Sequence, residues 1–140
     1  SDVCSSDLLF ATALLAGSRP TIYGDGGQTR DFTYVANVVD GVLRACEARE
    51  AAGAVINVAT GGRISLNDLL RTLNGILGTD IQAIYGAARM GDVRDSQADI
   101  TTARTLLGYA PTVDLEEGLR RTLDWCRATA GRTARPPAAG

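Results

Sequence analysis

Three arginines stand where their side chains can converge on an anion. Arg30 follows the turn Gly24-Asp25-Gly26-Gly27, and Arg89 and Arg94 lie in the polar, irregular stretch 86–98. A guanidinium is planar and always charged, and it grips phosphate oxygens with two parallel hydrogen bonds. Asp92 lies between the two loop arginines, and a carboxylate is a natural acceptor for hydroxyl groups. Tyr23 precedes the turn, and the small Ser96 follows in the loop. Each residue also has an ordinary reading. Arg30 can be solvated, Arg89 and Asp92 can form a surface ion pair of little stability value, and Arg94 can pair with Asp95 or Asp99. Tyr23 can be plain strand packing, and Asp99 suits a helix cap better than a catalytic acid.

Two absences narrow the chemistry. The 140 residues contain no His, and all 14 basic residues are Arg. This removes Ser/His/Asp and Cys/His nucleophilic triads, His-containing metal sites, Schiff-base chemistry and the Walker lysine. Codon bias in a GC-rich genome also produces such arginine usage. The net charge of −2 gives no support to a nucleic-acid partner or a polybasic membrane contact. No apolar run reaches the length of a transmembrane helix, and no secretory signal is visible. Cys4, Cys46 and Cys126 are odd in number and scattered, which argues for a reducing, cytoplasmic compartment. Cys46 and Cys126 are expected in the core, on apolar helix faces.

The elements that must position these residues alternate. Residues 1–8 are polar and unpatterned. They read as a non-native leader resembling a translated sequencing adapter, on a gene truncated at its 5′ end. Leu9–Ala16 reads as the end of a helix, stopped by Gly17 and Pro20. Thr21–Tyr23 is a short strand, and Gly24–Gly27 is a turn rather than a phosphate cradle, because no strand–G-x-G-x-x-G–helix context surrounds it. A helix follows from about Val35 to Ala48, with Val35, Val38/Val39, Val42 and Cys46 as its apolar face. Ala54–Ala59 is a near-continuous apolar run, as expected of a buried parallel strand. Ser65-x-x-Asp68 opens a helix with Leu66, Leu69, Leu70, Leu73, Ile76 and Leu77 on one stripe, ended by Gly78. Asp80–Tyr85 is a third strand. Asp99 caps a short helix stopped by Gly108. Asp114 and Glu117 open the last helix, and a flexible tail is expected over 129–140. The fold class is α/β, with short parallel strands between helices.

Four segments in order carry a family resemblance. They are Ile22-Tyr23-Gly24-Asp25-Gly26 with Arg30-Asp31-Phe32-Thr33-Tyr34-Val35, and Ile56-Asn57-Val58-Ala59-Thr60-Gly61-Gly62-Arg63. Then come Arg89-Met90-Gly91-Asp92-Val93-Arg94-Asp95-Ser96-Gln97-Ala98-Asp99, and Leu107-Gly108-Tyr109-Ala110-Pro111 with Glu117-Gly118-Leu119 and Trp125. Together, across 9–128, they resemble the C-terminal, substrate-binding half of extended short-chain dehydrogenase/reductases acting on nucleotide sugars. Those of the UDP-N-acetylglucosamine and UDP-glucose 4-epimerase type look most similar. The resemblance implies an extended Rossmann-type parent whose NAD-binding half is missing here. It implies that Arg30 and Arg89 bind the diphosphate, with Arg94 as a further candidate. Asp92 would bind the ribose, and Tyr23 would pack on the uracil. Gly61 and Gly62 would let the chain approach the nucleotide. Ser96 would line the hexose pocket, small enough to admit a 2-acetamido group.

The implied parent is a homodimer that uses NAD and a UDP-sugar. Its catalysis needs a Gly-rich fingerprint and a Tyr-x-x-x-Lys pair, and a chain without lysine cannot hold that pair. The chain alone is therefore expected to be inactive. A 4,6-dehydratase or decarboxylase fragment, and a noncatalytic sugar-nucleotide-binding module, are the alternatives.

Overall fold

A computed structural model describes residues 6–133. Cys4, most of the 1–8 leader and the end of the 129–140 tail lie outside them. The order is α1 (Ser6–Leu15), β1 (Thr21–Tyr23), β2 (Thr29–Arg30), α2 (Val35–Glu47), a 3-10 turn (Arg49–Ala51), β3 (Ile64–Ser65), α3 (Leu66–Leu77), β4 (Ile84–Gly86), α4 (Thr101–Leu107) and α5 (Leu115–Thr133). The α/β class holds. β1 and β4 pair in parallel, Ile22 opposite Tyr85, and β2 and β3 form a two-residue antiparallel pair.

The helix signals act as expected. Ser65 Oγ accepts a hydrogen bond from Asp68 N at 3.1 Å, and Gly78 ends α3 with φ +67°. Asp99 Oδ1 accepts from Thr101 N at 2.8 Å, and Asp114 Oδ1 from Glu117 N at 2.9 Å. The leucine stripe of α3 meets Phe10 and Leu14 of α1, Ile22 of β1, and Leu119, Leu123 and Cys126 of α5. Leu69 and Leu73 are fully buried. Full burial of such a side chain stabilises by about 1.5–3 kcal/mol. A second cluster joins Ala59, Ile100, Ala103, Leu107 and Tyr109.

Five expectations are corrected. The α2 stripe of Val35, Val38, Val39, Val42 and Cys46 faces outward, and Cys46 is exposed. Its opposite side is the one that packs. Asn37 is buried, donates to Val113 O at 2.7 Å, and accepts from Thr112 N and Val113 N at 3.0 Å each. Gly41 lies against Val58, so close that a Cβ would stand 2.5 Å from a Val58 methyl. Second, 54–59 runs without a strand partner among the described residues, with Val55 95% exposed. A ladder needs a neighbour, and both sheets here are already two-stranded pairs.

Third, only Ile84 and Tyr85 of the expected 80–85 strand are in β4. The Asn74 side chain holds the rest as a loop, accepting from Ile81 N and donating to Ile81 O, both at 3.0 Å. Fourth, α5 continues through Thr133, because Ala128-Thr129-Ala130 offers no helix breaker. Likewise α1 begins at Ser6, before the expected Leu9.

Candidate functional site

β1 and β2 deliver Tyr23 and Arg30 to one place. The Gly24–Gly27 turn between them is held by Asp25 Oδ1, which accepts from Gly27 N at 2.9 Å. Gln28 is buried and donates from Nε2 to Tyr23 O at 2.7 Å, closing the hairpin-like bend from inside. The 87–98 loop is then tied onto β2 by backbone bonds. Thr29 N donates to Arg94 O at 2.8 Å, and Ser96 N donates to Thr29 O at 3.1 Å. The Thr29 hydroxyl adds a bond to Asp95 Oδ1 at 2.7 Å.

This arrangement gathers four of the six expected residues. Tyr23, Arg30, Arg89 and Asp92 line one cavity of about 180 Å³, together with Gln28, Phe10, Leu66 and Met90. Arg30 pairs with Asp92 at 2.6 Å, their side chains only 16% and 24% exposed. Arg30 also donates to Thr29 O at 2.7 Å, which fixes the direction of its fork. The Arg89 guanidinium carbon lies 3.9 Å from the Tyr23 ring centroid, a cation–π contact. Asp92 thus pairs with Arg30 and not with Arg89.

Arg94 and Ser96 stand outside that cavity. Arg94 pairs with Asp25 at 3.3 Å rather than with Asp95 or Asp99. The Gly27 N–H, and next the Arg94 guanidinium, hold the Asp25 carboxyl below the usual carboxylate range, so this exposed pair stays charged. Ser96 is exposed, next to the Thr29–Asp95 bridge. Gly61 does not approach the Tyr23 cavity. It has φ +74°, and a Cβ there would meet Ile100 Cδ1 at 3.1 Å, so it makes room for the second core cluster.

Asp31 is the positioning residue that sequence reasoning left without a role. Its carboxylate accepts from Thr60 N at 3.2 Å, from the Thr60 hydroxyl, and from Gly61 N at 2.9 Å. It ties the residue after Arg30 to the Thr60-Gly61-Gly62 bend. The signal was present as an acid beside Arg30 and a Thr-Gly-Gly downstream, but no spacing rule links positions 29 apart.

The described residues hold no group of three or more His, Cys, Asp and Glu side chains able to bind a metal. No helix among them is long and apolar enough to cross a membrane. The Gly24–Gly27 turn joins two strands and lies at no helix N-terminus, so it is not a dinucleotide fingerprint.

A family model described as GDP-mannose 4,6 dehydratase matches residues 3–122. The chain belongs to this family. Within the family, it is 39% identical over 119 residues to a UDP-glucose 4-epimerase of Mycolicibacterium smegmatis, covering 85% of the chain and 38% of that relative. The UDP-glucuronic acid 4-epimerase of Bacillus cereus, solved with UDP-4-deoxy-4-fluoro-glucuronic acid and NAD, superposes with a TM-score of 0.84 at 33% identity. That match covers 89% of this chain and 40% of that one. A UDP-N-acetylglucosamine 4-epimerase of Methanobrevibacter ruminantium, in complex with UDP-N-acetylmuramic acid, gives 0.82 at 35% identity, over 88% of this chain and 39% of its own. Other relatives are named dTDP-glucose 4,6-dehydratase and UDP-glucuronic acid decarboxylase. The chain thus spans about two fifths of the length of the proteins it matches, and it corresponds to the C-terminal part of extended Rossmann-type enzymes.

Proposed function

We propose that this chain is the substrate-binding part of an NAD-dependent UDP-sugar 4-epimerase of the UDP-glucose and UDP-N-acetylglucosamine type. The observation that carries the reading is the meeting of Tyr23, Arg30, Arg89 and Asp92 around one cavity, from segments some 60 residues apart in the chain. A diphosphate brings about two negative charges and planar sets of oxygens, which Arg30 and Arg89 match with rigid forks. Asp92 would accept the ribose hydroxyls, and the Tyr23 ring would face the base. Arg94 is a further diphosphate ligand in this reading, released from Asp25. Ser96 leaves room for a 2-acetamido group.

NAD belongs to the part of the parent that these residues do not represent, and no hydride step is assigned to them. The chain by itself binds and orients. It holds no Tyr-x-x-x-Lys pair to take the sugar's hydroxyl proton. The parent is taken as a cytoplasmic homodimer, residues 1–8 as a non-native leader, and 9–128 as the substrate-binding region.

The test is a chimera in which this chain replaces the matching part of the Mycolicibacterium smegmatis relative. Interconversion of UDP-glucose and UDP-galactose is expected, with Arg30→Ala raising KM more than it lowers kcat. Ser96→Tyr should suppress turnover of UDP-N-acetylglucosamine and largely spare UDP-glucose; equal loss on both rejects the assignment of Ser96. A dehydratase, favoured by the description of the matching family model, would instead release a 4-keto-6-deoxy sugar nucleotide.

A further inference from the structure

Each of the three arginines is engaged by a group of the chain itself. Arg30 meets Asp92, and Arg89 lies over the Tyr23 ring. Those partners line the same cavity as the arginines they hold. Arg94 differs. Both of its terminal nitrogens donate to one oxygen of Asp25, Oδ2, at 3.3 Å, and the two side chains are 68% and 64% exposed. The ends of this pair are not equally fixed. Asp25 Oδ1 accepts from Gly27 N at 2.9 Å, and Asp25 O accepts from Asn67 Nδ2 at 3.0 Å. Asn67, in the first turn of α3, is held in turn. Its Oδ1 accepts from the Tyr85 hydroxyl of β4 at 2.9 Å, and its amide donates to Gly26 O at 3.1 Å. Gly27 leaves the space that the guanidinium uses, since a Cβ there would stand 3.2 Å from Arg94 Nη2. Arg94 is anchored at its backbone instead. Its carbonyl accepts from Thr29 N at 2.8 Å and from Arg30 Nη1 at 3.4 Å.

We propose that Asp25 is a positioning residue that competes with the ligand: it parks the Arg94 guanidinium outside the cavity, and a diphosphate gripped by Arg30 draws that guanidinium off Asp25 and onto its own oxygens. The inference rests on the reading of the cavity as a diphosphate site, and not on which sugar the diphosphate carries. Three features carry it. The acid is pinned on two sides while the arginine side chain is long and rich in rotamers, so an exchange moves the arginine. The pair is exposed, and an exposed pair contributes little, so a ligand with about two charges can break it. The root of the Arg94 side chain touches the Arg30 fork through its own carbonyl, so the swing ends at the anion that Arg30 holds.

The test titrates the full chain with inorganic pyrophosphate, a diphosphate without base or sugar, and reads affinity by calorimetry. Asp25→Asn removes the charge and keeps an oxygen for the Gly27 amide. It should tighten pyrophosphate binding about two- to fivefold, the range that an exposed pair allows. In an Arg94→Gln background the same substitution should leave affinity unchanged, which makes the two positions a double-mutant cycle. Equal tightening with and without Arg94 would mean that Asp25 acts only as a negative charge near the site, and overturns the proposal. Unchanged or weaker binding by Asp25→Asn overturns it as well, as does a lack of pyrophosphate binding in all four forms.

A readout on the unsubstituted chain covers the case in which a variant fails to fold. The Arg94 Nε–H resonance should shift as pyrophosphate is added, while that of Arg71, in an exposed pair with Asp68 on α3, stays in place. An Arg94 resonance that moves no more than the Arg71 one rejects the exchange. The chimera described above separates this inference from the reading it rests on. Coupling between Asp25 and Arg94 without UDP-sugar turnover would count against the proposed substrate and not against the exchange. Turnover without that coupling would count against the exchange alone.

Discussion

The Arg30 guanidinium donates to Thr29 O, Arg94 O and Asp92, and only the last of these is a charge. The bonds to Thr29 O and Asp92 orient the fork, and Asp31, next in the chain, anchors the backbone to Thr60 and Gly61. Removing Asp31 leaves partly buried N–H groups without an acceptor, which costs about 1–3 kcal/mol. Asp31→Ala should therefore lower the chain's urea midpoint, and Asp31→Asn should recover part of the loss because its amide oxygen still accepts. In the chimera, Asp31→Ala should raise KM for the sugar nucleotide while Asp31→Asn stays closer to the parent. Equal KM in both would separate the carboxylate from the site. The candidate residues were legible at this scale by type, since arginine, aspartate and tyrosine are the groups a nucleoside diphosphate calls for. Their pairing was not. Whether Asp92 meets Arg30 or Arg89 depends on how the 87–98 loop lies against Thr29, and no periodicity encodes that.

Caps decide the elements. Ser65 satisfies the Asp68 amide at the start of α3, and Ser65→Ala should cost about 1 kcal/mol, read in a denaturation curve. Three carboxylates at turns and helix starts sit below the ordinary value of 3.8. Asp25 is held there first by the Gly27 N–H, Asp68 by the Ser65 hydroxyl and Asp99 by the Thr101 hydroxyl. A depressed folded-state value means that the unfolded chain takes up protons first as pH drops. Their contribution is complete above 3.8 and disappears as pH falls through the lower folded values. Denaturant midpoints should therefore hold from these groups between pH 6 and 4 and decline toward pH 3, with a shallower decline for Asp99→Asn. The starts of α3, α4 and α5 and the glycine stops at Gly78 and Gly108 were legible because capping is local. The direction of α2 was not. Valine spacing gives the stripe, but Asn37 and Gly41 choose the packed side, and their partners Val113 and Val58 lie at positions far from them in sequence.

Two hydrophobic clusters support the whole molecule, and the larger one holds α1, α3 and α5 around Ile22, which carries Tyr23 beside it. Leu73→Ala in that cluster should cost about 2–5 kcal/mol through lost burial and a residual cavity. Thermal melts would read it, and the same truncation at exposed Val42 should change them little. The isolated chain, mixed with NAD and UDP-glucose, should give neither UDP-galactose nor an NADH absorbance, because it contains no lysine to activate a tyrosine base. The β2 junction has a consequence on an evolutionary scale. Thr29 is joined to the 94–96 segment through main-chain groups, and main-chain bonding is indifferent to which residues occupy those codons. Drift at 94 and 96 can therefore change the side chains presented beside β2 while the arginine at 30 keeps its post. Under the proposed function, relatives built on this junction would differ in diet by a few letters in a single loop.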